Sequence, residues 1–235
     1  ALKRSQLPRT SAFNGWQDMP GNIFAAFMGW PWDKLYRTEF VLDSDIRFPE
    51  DLPNSEDMLF TYPLLVLAQR IAVVDEVLID HRIGRGNTVS SSRTKAPYAF
   101  YDAICRMKSF LQEHPEAWNA LQKDYLNWAF DWTLWNIETI GDASAAHGMA
   151  QRLHDGSFPE LELSLHESSY FAAYPRSMAR YATLMNSLGP NMRDNGPLGS
   201  CSKLPYGKYR CWNDMNYVQK GLSVLRDKLR GPSEW

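Results

Sequence analysis

A surplus of charge of one sign is missing from this chain of 235 residues. Its 25 Lys and Arg stand against 27 Asp and Glu, a formal net charge of −2, and the two signs are mixed along the sequence. No field that would gather nucleic acid or an anionic membrane is built in, so no nucleic-acid partner is expected. Long apolar runs are missing too. The longest, residues 62–74, is broken by Gln69 and Arg70 and falls short of the roughly 20 residues that span a bilayer, so no transmembrane segment is expected. The opening ALKRSQLPRTSAF has basic residues with no apolar stretch behind them, and no secretory signal is expected from it. Cysteine is scarce. Cys105, Cys201 and Cys211 are an odd and small set for a disulfide scaffold, and their spacing does not supply the convergent ligands of a zinc site. Cys201 and Cys211 flank a segment with Pro and Gly and would close a loop if oxidised. The expected setting is reducing and cytoplasmic. There is no internal repeat and no low-complexity tract.

What the chain has in quantity is aromatic surface: nine Trp, eleven Tyr and eleven Phe, within 44% hydrophobic residues. That is enough for one sizeable core, or for a compact lobe with a smaller one attached. Most of these rings belong in the core, and their flat faces also suit stacking on sugars.

The first thirty or so residues are punctuated by Pro and Gly and read as loop and short-helix structure. WDKLYRTEFVL then places Leu35, Phe40 and Leu42 among charges, the pattern of a short amphipathic helix lying on a core. After a turn-rich stretch a helix is predicted over 55–69. Ser55 is its N-cap, Glu56 and Asp57 lie in its first turn, and Pro63 is expected to kink or split it. RIAVVDEVLIDHRI, rich in Val and Ile, reads as one or two short strands. RGNTVSSSRTK is a polar loop. Everything from about residue 98 is helical in pattern: 98–112, then 115–140 with Pro115 at the first helical position, then about 143–154, about 166–188, and a last helix after a Gly/Pro-rich connector. Trp118, Leu121, Tyr125, Trp128, Trp132 and Trp135 recur at spacings that mostly alternate three and four, an aromatic stripe predicted to be the buried seam of a helical bundle. The fold class expected is mostly α with a small β element.

In order along the chain, PWDKLYRTEFV, IRFPEDLPNSEDMLF and RIAVVDEVLIDHRIGRGNTVSSS together resemble segments of bacterial family 2 glycosyltransferases of the capsule, teichoic acid and exopolysaccharide kind. Each alone is a short pattern; their joint order over residues 20–95 carries the resemblance. It implies a division at residue 95, with the acceptor-side part of a GT-A-like catalytic domain before it and a helical C-terminal lobe over 96–235. A GT-A fold begins with a Rossmann-like sheet ending in an aspartate-rich metal motif, and residues 1–30 have the pattern of neither. Asp43-Ser44-Asp45 has the letters of that motif but follows the acceptor segment instead of a buried strand, and aspartates two apart in a turn are common. The chain is therefore expected to be an incomplete enzyme, inactive without a donor-binding half.

The resemblance implies roles for particular residues. Asp57 is the expected general base of an inverting transfer, with Glu56 supporting it or capping the helix. Trp32 would stack on an acceptor sugar while Asp33 and Lys34 bind its hydroxyls. His81, Arg82 and Arg85 would face the donor diphosphate, the guanidinium forks matching phosphate oxygens. The complete enzyme is expected to take a nucleotide sugar, a saccharide or lipid-linked acceptor and a divalent metal, Mg or Mn, at the inner face of the membrane. This chain alone is expected to hold no metal. Each residue has a plainer use: an Asp in a first turn as a helix-dipole partner, Trp32 as a loop anchor beside an Asp33–Lys34 ion pair, His81 as a hydrogen-bonded structural residue. The alternative for the whole is a noncatalytic helical interaction or carbohydrate-binding module.

Overall fold

The computed structural model describes residues 12–19, 23–74, 76, 78–80, 93–189 and 197. Its elements in chain order are β1 (Ala12–Phe13), a 3-10 turn (Gly15–Gln17), α1 (Ile23–Ala26), α2 (Thr38–Asp43), α3 (Glu56–Leu67), β2 (Ile71–Ala72), α4 (Ala99–Gln112), α5 (Pro115–Thr139), α6 (Ala143–His154), 3-10 turns at Pro159–Leu161 and Ser168–Phe171, and α7 (Pro175–Leu188). The protein is mostly helical, with one small antiparallel pair in which Ala12 faces Ala72 and Phe13 faces Ile71. The expected last helix, Cys201 and Cys211 lie outside the described residues.

Local signals set most helix ends. Pro115 and Pro175 open α5 and α7, where a missing N–H costs nothing and φ is already helical. Asp142 caps α6 by accepting from the Ala145 amide at 2.8 Å. Helix α5 is the axis of the fold: α4, α6, α7 and α1 all pack on it, while α3 lies against α4. One core runs from Phe13 to Met185 and joins elements on both sides of residue 95.

An aromatic knot fixes the N-terminal part to that axis. Phe24, 2% exposed, meets Tyr62 of α3 at 5.1 Å between ring centroids, and Tyr125 and Trp128 of α5 at 5.4 and 5.5 Å. The Tyr62 hydroxyl donates to the Phe27 carbonyl at 3.0 Å, and that of Tyr125 to the Ile104 carbonyl at 2.6 Å. Two glycines permit close approach. Gly15 has φ +60°, and a Cβ there would stand 2.3 Å from the Ala68 carbonyl oxygen; a Cβ at Gly29 would stand 3.0 Å from Met58 Cγ and 3.1 Å from Tyr62 Cε2. The turn around Gly29 thus lies directly on α3.

Several sequence expectations are corrected. Helix α3 runs unbroken through Pro63, because that proline sits in a buried stretch where packing holds the turn together. Among the described residues the β signal is shortened to Ile71–Ala72, and its partner β1 lies in a stretch that reads as loop. The helix expected from Trp32 begins at Thr38 and buries nothing fully. Leu35 is 93% exposed and Leu42 60%, so the apolar letters of this segment do not rest on the core. Helix α7 starts at Pro175 instead of near 166, since proline is best placed in a first turn and a 3-10 turn precedes it. The Trp stripe is a seam with a graded edge. Trp128 is 7% exposed, Trp118 and Trp132 are partly buried, and Trp135 at the end is 37% exposed. Its indoles stack: Trp128 on Trp132 at 6.2 Å and Trp132 on Trp135 at 4.8 Å.

If the knot carries the attachment of α1, Phe24→Ala should destabilise the chain by about 3–5 kcal/mol, whereas Leu35→Ala should stay within about 0.5 kcal/mol of the parent. Denaturant unfolding followed by tryptophan fluorescence checks both; equal effects at the two positions would show that Phe24 is not a core anchor.

Candidate active site

Two segments converge at the start of α3. One is the helix's first turn, with Glu56 and Asp57; the other is the chain over residues 28–36, pressed on Met58 and Tyr62 through Gly29. Ser55 occupies the N-cap position, but in a left-handed conformation, φ 67°, and without a capping hydrogen bond. Its hydroxyl donates instead to Asn54 Oδ1 at 3.1 Å, and Asn54 Nδ2 donates to the Ala96 carbonyl at 3.3 Å. The expected capping role of Ser55 is therefore corrected: its side chain serves the entry loop, and it is the Ser55 carbonyl that accepts from a helix-start amide, that of Met58, at 3.3 Å.

Asp57 is half-buried, and its pKa is raised to about 6. Burial is the main cause, the neighbouring Glu56 charge adds to it, and the Lys34 ammonium opposes both. A helix N-terminus favours an ionised carboxylate, and from sequence that field is expected to dominate; here burial and like charge outweigh it. The carboxyl still loses its proton below neutrality, and it can take one back within the physiological range, as a general base must.

The facing segment is built around Lys34, whose side chain is 11% exposed. Its Nζ donates to the Met28 carbonyl at 2.8 Å, to the Trp30 carbonyl at 2.7 Å and to Asp33 Oδ1 at 2.5 Å. Burial lowers the Lys34 pKa, with Asp33 and Asp57 pulling it back. Trp32 is 38% exposed and stacks on Trp30 at 4.8 Å and 19°, which forms an aromatic shelf beside the ion pair. Tyr36 closes the other side. Its ring meets Phe60 edge-on at 5.5 Å, and Phe60 stacks on Phe48 at 4.1 Å. Burial pushes the Tyr36 pKa up to about 12, with the Thr61 hydroxyl opposing from close by. The two hydroxyls do not reach hydrogen-bond geometry, and neither has a hydrogen-bond partner.

Lys34, with Asp33 paired to it, is thus brought within electrostatic range of Asp57 and its neighbour Glu56, and Trp32 stands in the same turn as that pair. His81, Arg82 and Arg85, like the 86–92 loop, lie outside the described residues. Among the described residues no group of three or more His, Cys, Asp or Glu side chains could hold a metal ion, so no fit for a divalent ion is found there. Asp43, the last residue of α2, and Asp45, in the turn after it, are both exposed, Asp45 beside Arg47. Tyr36 and Thr61 escape a sequence reading focused on the carboxylates. The available signal is the helical spacing from Asp57 to Thr61, one turn on the same face.

Comparison with known proteins bears on the same question. Over 71 residues, 37% are identical to the poly(ribitol-phosphate) beta-N-acetylglucosaminyltransferase TarS of Staphylococcus aureus strains Mu50 / ATCC 700699 and MW2. Part of this chain is similar to a glycosyltransferase. The similar stretch is 30% of the chain and spans 12% of the length of those curated relatives. No family model matches, and no solved structure matches. No helix among the described residues is long and apolar enough to cross a membrane.

The raised pKa of Asp57 has a thermodynamic consequence. Above the ordinary carboxylate range the folded chain holds this proton more tightly than the unfolded chain, so Asp57 lowers stability progressively as pH rises from about 4 to about 6. Asp57→Asn should therefore be more stable than the parent at pH 7 and lose that advantage near pH 4. Thermal unfolding at the two pH values checks this; a less stable Asn variant at pH 7 would mean that the carboxylate is held in place by favourable contacts.

Proposed function

We propose that this chain is the acceptor-side portion of an inverting nucleotide-sugar glycosyltransferase of family 2, GT-A type, working in the synthesis of a cell-surface glycopolymer. The observation that carries the reading is a half-buried carboxylate poised near pH 6 next to an aromatic shelf and an ion pair. The partial similarity to a poly(ribitol-phosphate) N-acetylglucosaminyltransferase supports it.

In this reading an acceptor hydroxyl lies against Asp57 with its sugar or polyol flank on Trp32. As the hydroxyl oxygen attacks the anomeric carbon of the donor, its proton passes to Asp57 and the bond from that carbon to the diphosphate oxygen breaks. The nucleoside diphosphate leaves with the electron pair, and configuration at the anomeric carbon is inverted. Burial raises the Asp57 pKa, and the Glu56 charge adds to it. Arg82 and Arg85, with His81, are proposed to neutralise the departing diphosphate. A divalent ion, Mg or Mn, belongs to the donor-binding half in this proposal, and no step here is routed through it. The setting proposed is the cytoplasmic face of the membrane, and the acceptor class includes polyol-phosphate chains of the kind TarS is named for.

The test joins the chain to a donor-binding half. In that protein Asp57→Asn should lower transfer from a nucleotide sugar to a poly(ribitol-phosphate) acceptor by a factor of about 10² to 10⁴ with donor affinity little changed, and Glu56→Gln should cost less. The chain by itself should show no micromolar, metal-dependent binding of nucleotide sugars in calorimetry. Transfer at near the parental rate with Asn at position 57 would leave Asp57 only a helix-start role.

A further inference from the structure

We propose that Lys34 is a positioning residue, its ammonium tying the 28–33 turn into one rigid shelf and setting a fixed positive charge opposite the Asp57 carboxylate. The inference rests on the reading of Asp57 as proton acceptor. It differs from hydroxyl binding by Lys34, and the geometry is the reason. An ammonium group has three hydrogens to donate, and here the Met28 carbonyl, the Trp30 carbonyl and Asp33 Oδ1 take them at 2.8, 2.7 and 2.5 Å. None is left for an acceptor hydroxyl.

The three acceptors span the turn that carries the Trp30–Trp32 stack, so a single side chain fixes both the backbone and the shelf. The same turn is seated on α3 at Met58 through Gly29, the residue following Asp57. Position of the charge relative to the carboxylate is therefore set by backbone packing, without a hydrogen bond between the two groups. The titratable groups around Asp57 are Glu56 on its own helix and Lys34, Asp33 and Tyr36 from the facing segment. Lys34 is the cation of that set. It works against burial and Glu56, and without it the carboxyl would stay protonated at a higher pH and be a weaker acceptor of protons at neutrality. Arginine cannot reproduce this arrangement, since a planar fork does not aim its donors at three acceptors gathered round one nitrogen.

The experiment is done on the 235-residue chain. Carbon NMR of the Asp57 carboxyl, assigned by the resonance lost in Asp57→Asn, gives its titration midpoint. Lys34→Met should move that midpoint upward from about 6 and displace the indole N–H resonances of Trp30 and Trp32. Lys34→Arg should hold the midpoint closer to the parent while still displacing the indoles. In the unaltered chain, reductive methylation should reach the exposed Lys95 and Lys123 well before Lys34, which tests the sequestered ammonium even if Lys34→Met does not fold. An unmoved Asp57 midpoint in Lys34→Met, or methylation of Lys34 as fast as Lys123, overturns the proposal. Neither result touches the assignment of Asp57 itself. Failure of sugar transfer by the donor-complete protein would remove the glycosyltransferase reading and leave the titration result standing.

Discussion

The contact on which the arrangement depends is the packing of Phe24 among Tyr62, Tyr125 and Trp128. Without it, α3 and the 28–36 segment would have no common reference. Tyr62 belongs to α3, Tyr125 and Trp128 to α5, and Phe24 to the short helix that leads into the turn, so one buried ring sets three elements against each other. The Tyr62 hydroxyl then holds the Phe27 carbonyl, and Gly29 lets the next residues settle on Met58. By Met28 and Trp30 the backbone carbonyls are already where Lys34 requires them. The chemistry proposed at Asp57 thus rests on apolar burial around Tyr62, further along the same helix.

How much of this the sequence discloses depends on the range of the cause. Helices α4, α5 and α6 fall close to their predicted bounds because their stop signals are local: Pro115 opens one, Asp142 caps another through its own carboxylate, and Gly141 and Gly156 take positive φ after helix ends. Three of the misreadings involve distant partners. Leu35 and Leu42 have the spacing of a core-facing pattern, yet no element among the described residues covers them. Pro63 is a breaker by its own chemistry and is overruled by packing on both sides. Ala12 and Phe13 have no strand signal, and only pairing with Ile71 and Ala72 makes them one.

The candidate site divides the same way. Glu56 and Asp57 were legible as a pair opening a helix, and the resemblance singled out Asp57. The direction of its pKa shift was not legible, because a helix-start field is a local property and burial is not. The use of Lys34 was hidden for a further reason: two of its three acceptors are backbone carbonyls, which have no letter of their own. The buried Lys108 illustrates the point away from the site. It bridges Glu160 and Glu162 at 2.8 Å each; burial lowers its pKa, and the hydrogen bonds and charges of the two carboxylates together outweigh burial and raise it. His166 adds to this network through Glu162 and stacks on Tyr170 at 3.9 Å, although in the sequence it is an isolated histidine on a polar stretch.

The rival reading, a carbohydrate-binding module, would use the exposed end of the Trp stripe. A sugar ring stacks on an indole only where a face is open. One face of Trp135 is taken by Trp132 at 4.8 Å and 17°. The Arg93 guanidinium lies over the Trp135 ring as well, 4.5 Å from its centroid. Arg93 is itself tied down, donating to Asn136 Oδ1 at 3.0 Å and to the Thr139 carbonyl at 2.7 Å. A saccharide would have to displace a cation–π contact and its hydrogen bonds to reach a face. Trp32, with comparable exposure, belongs to the turn whose Lys34 charge reaches Asp57, and in the proposed reading that turn serves the acceptor of a transfer.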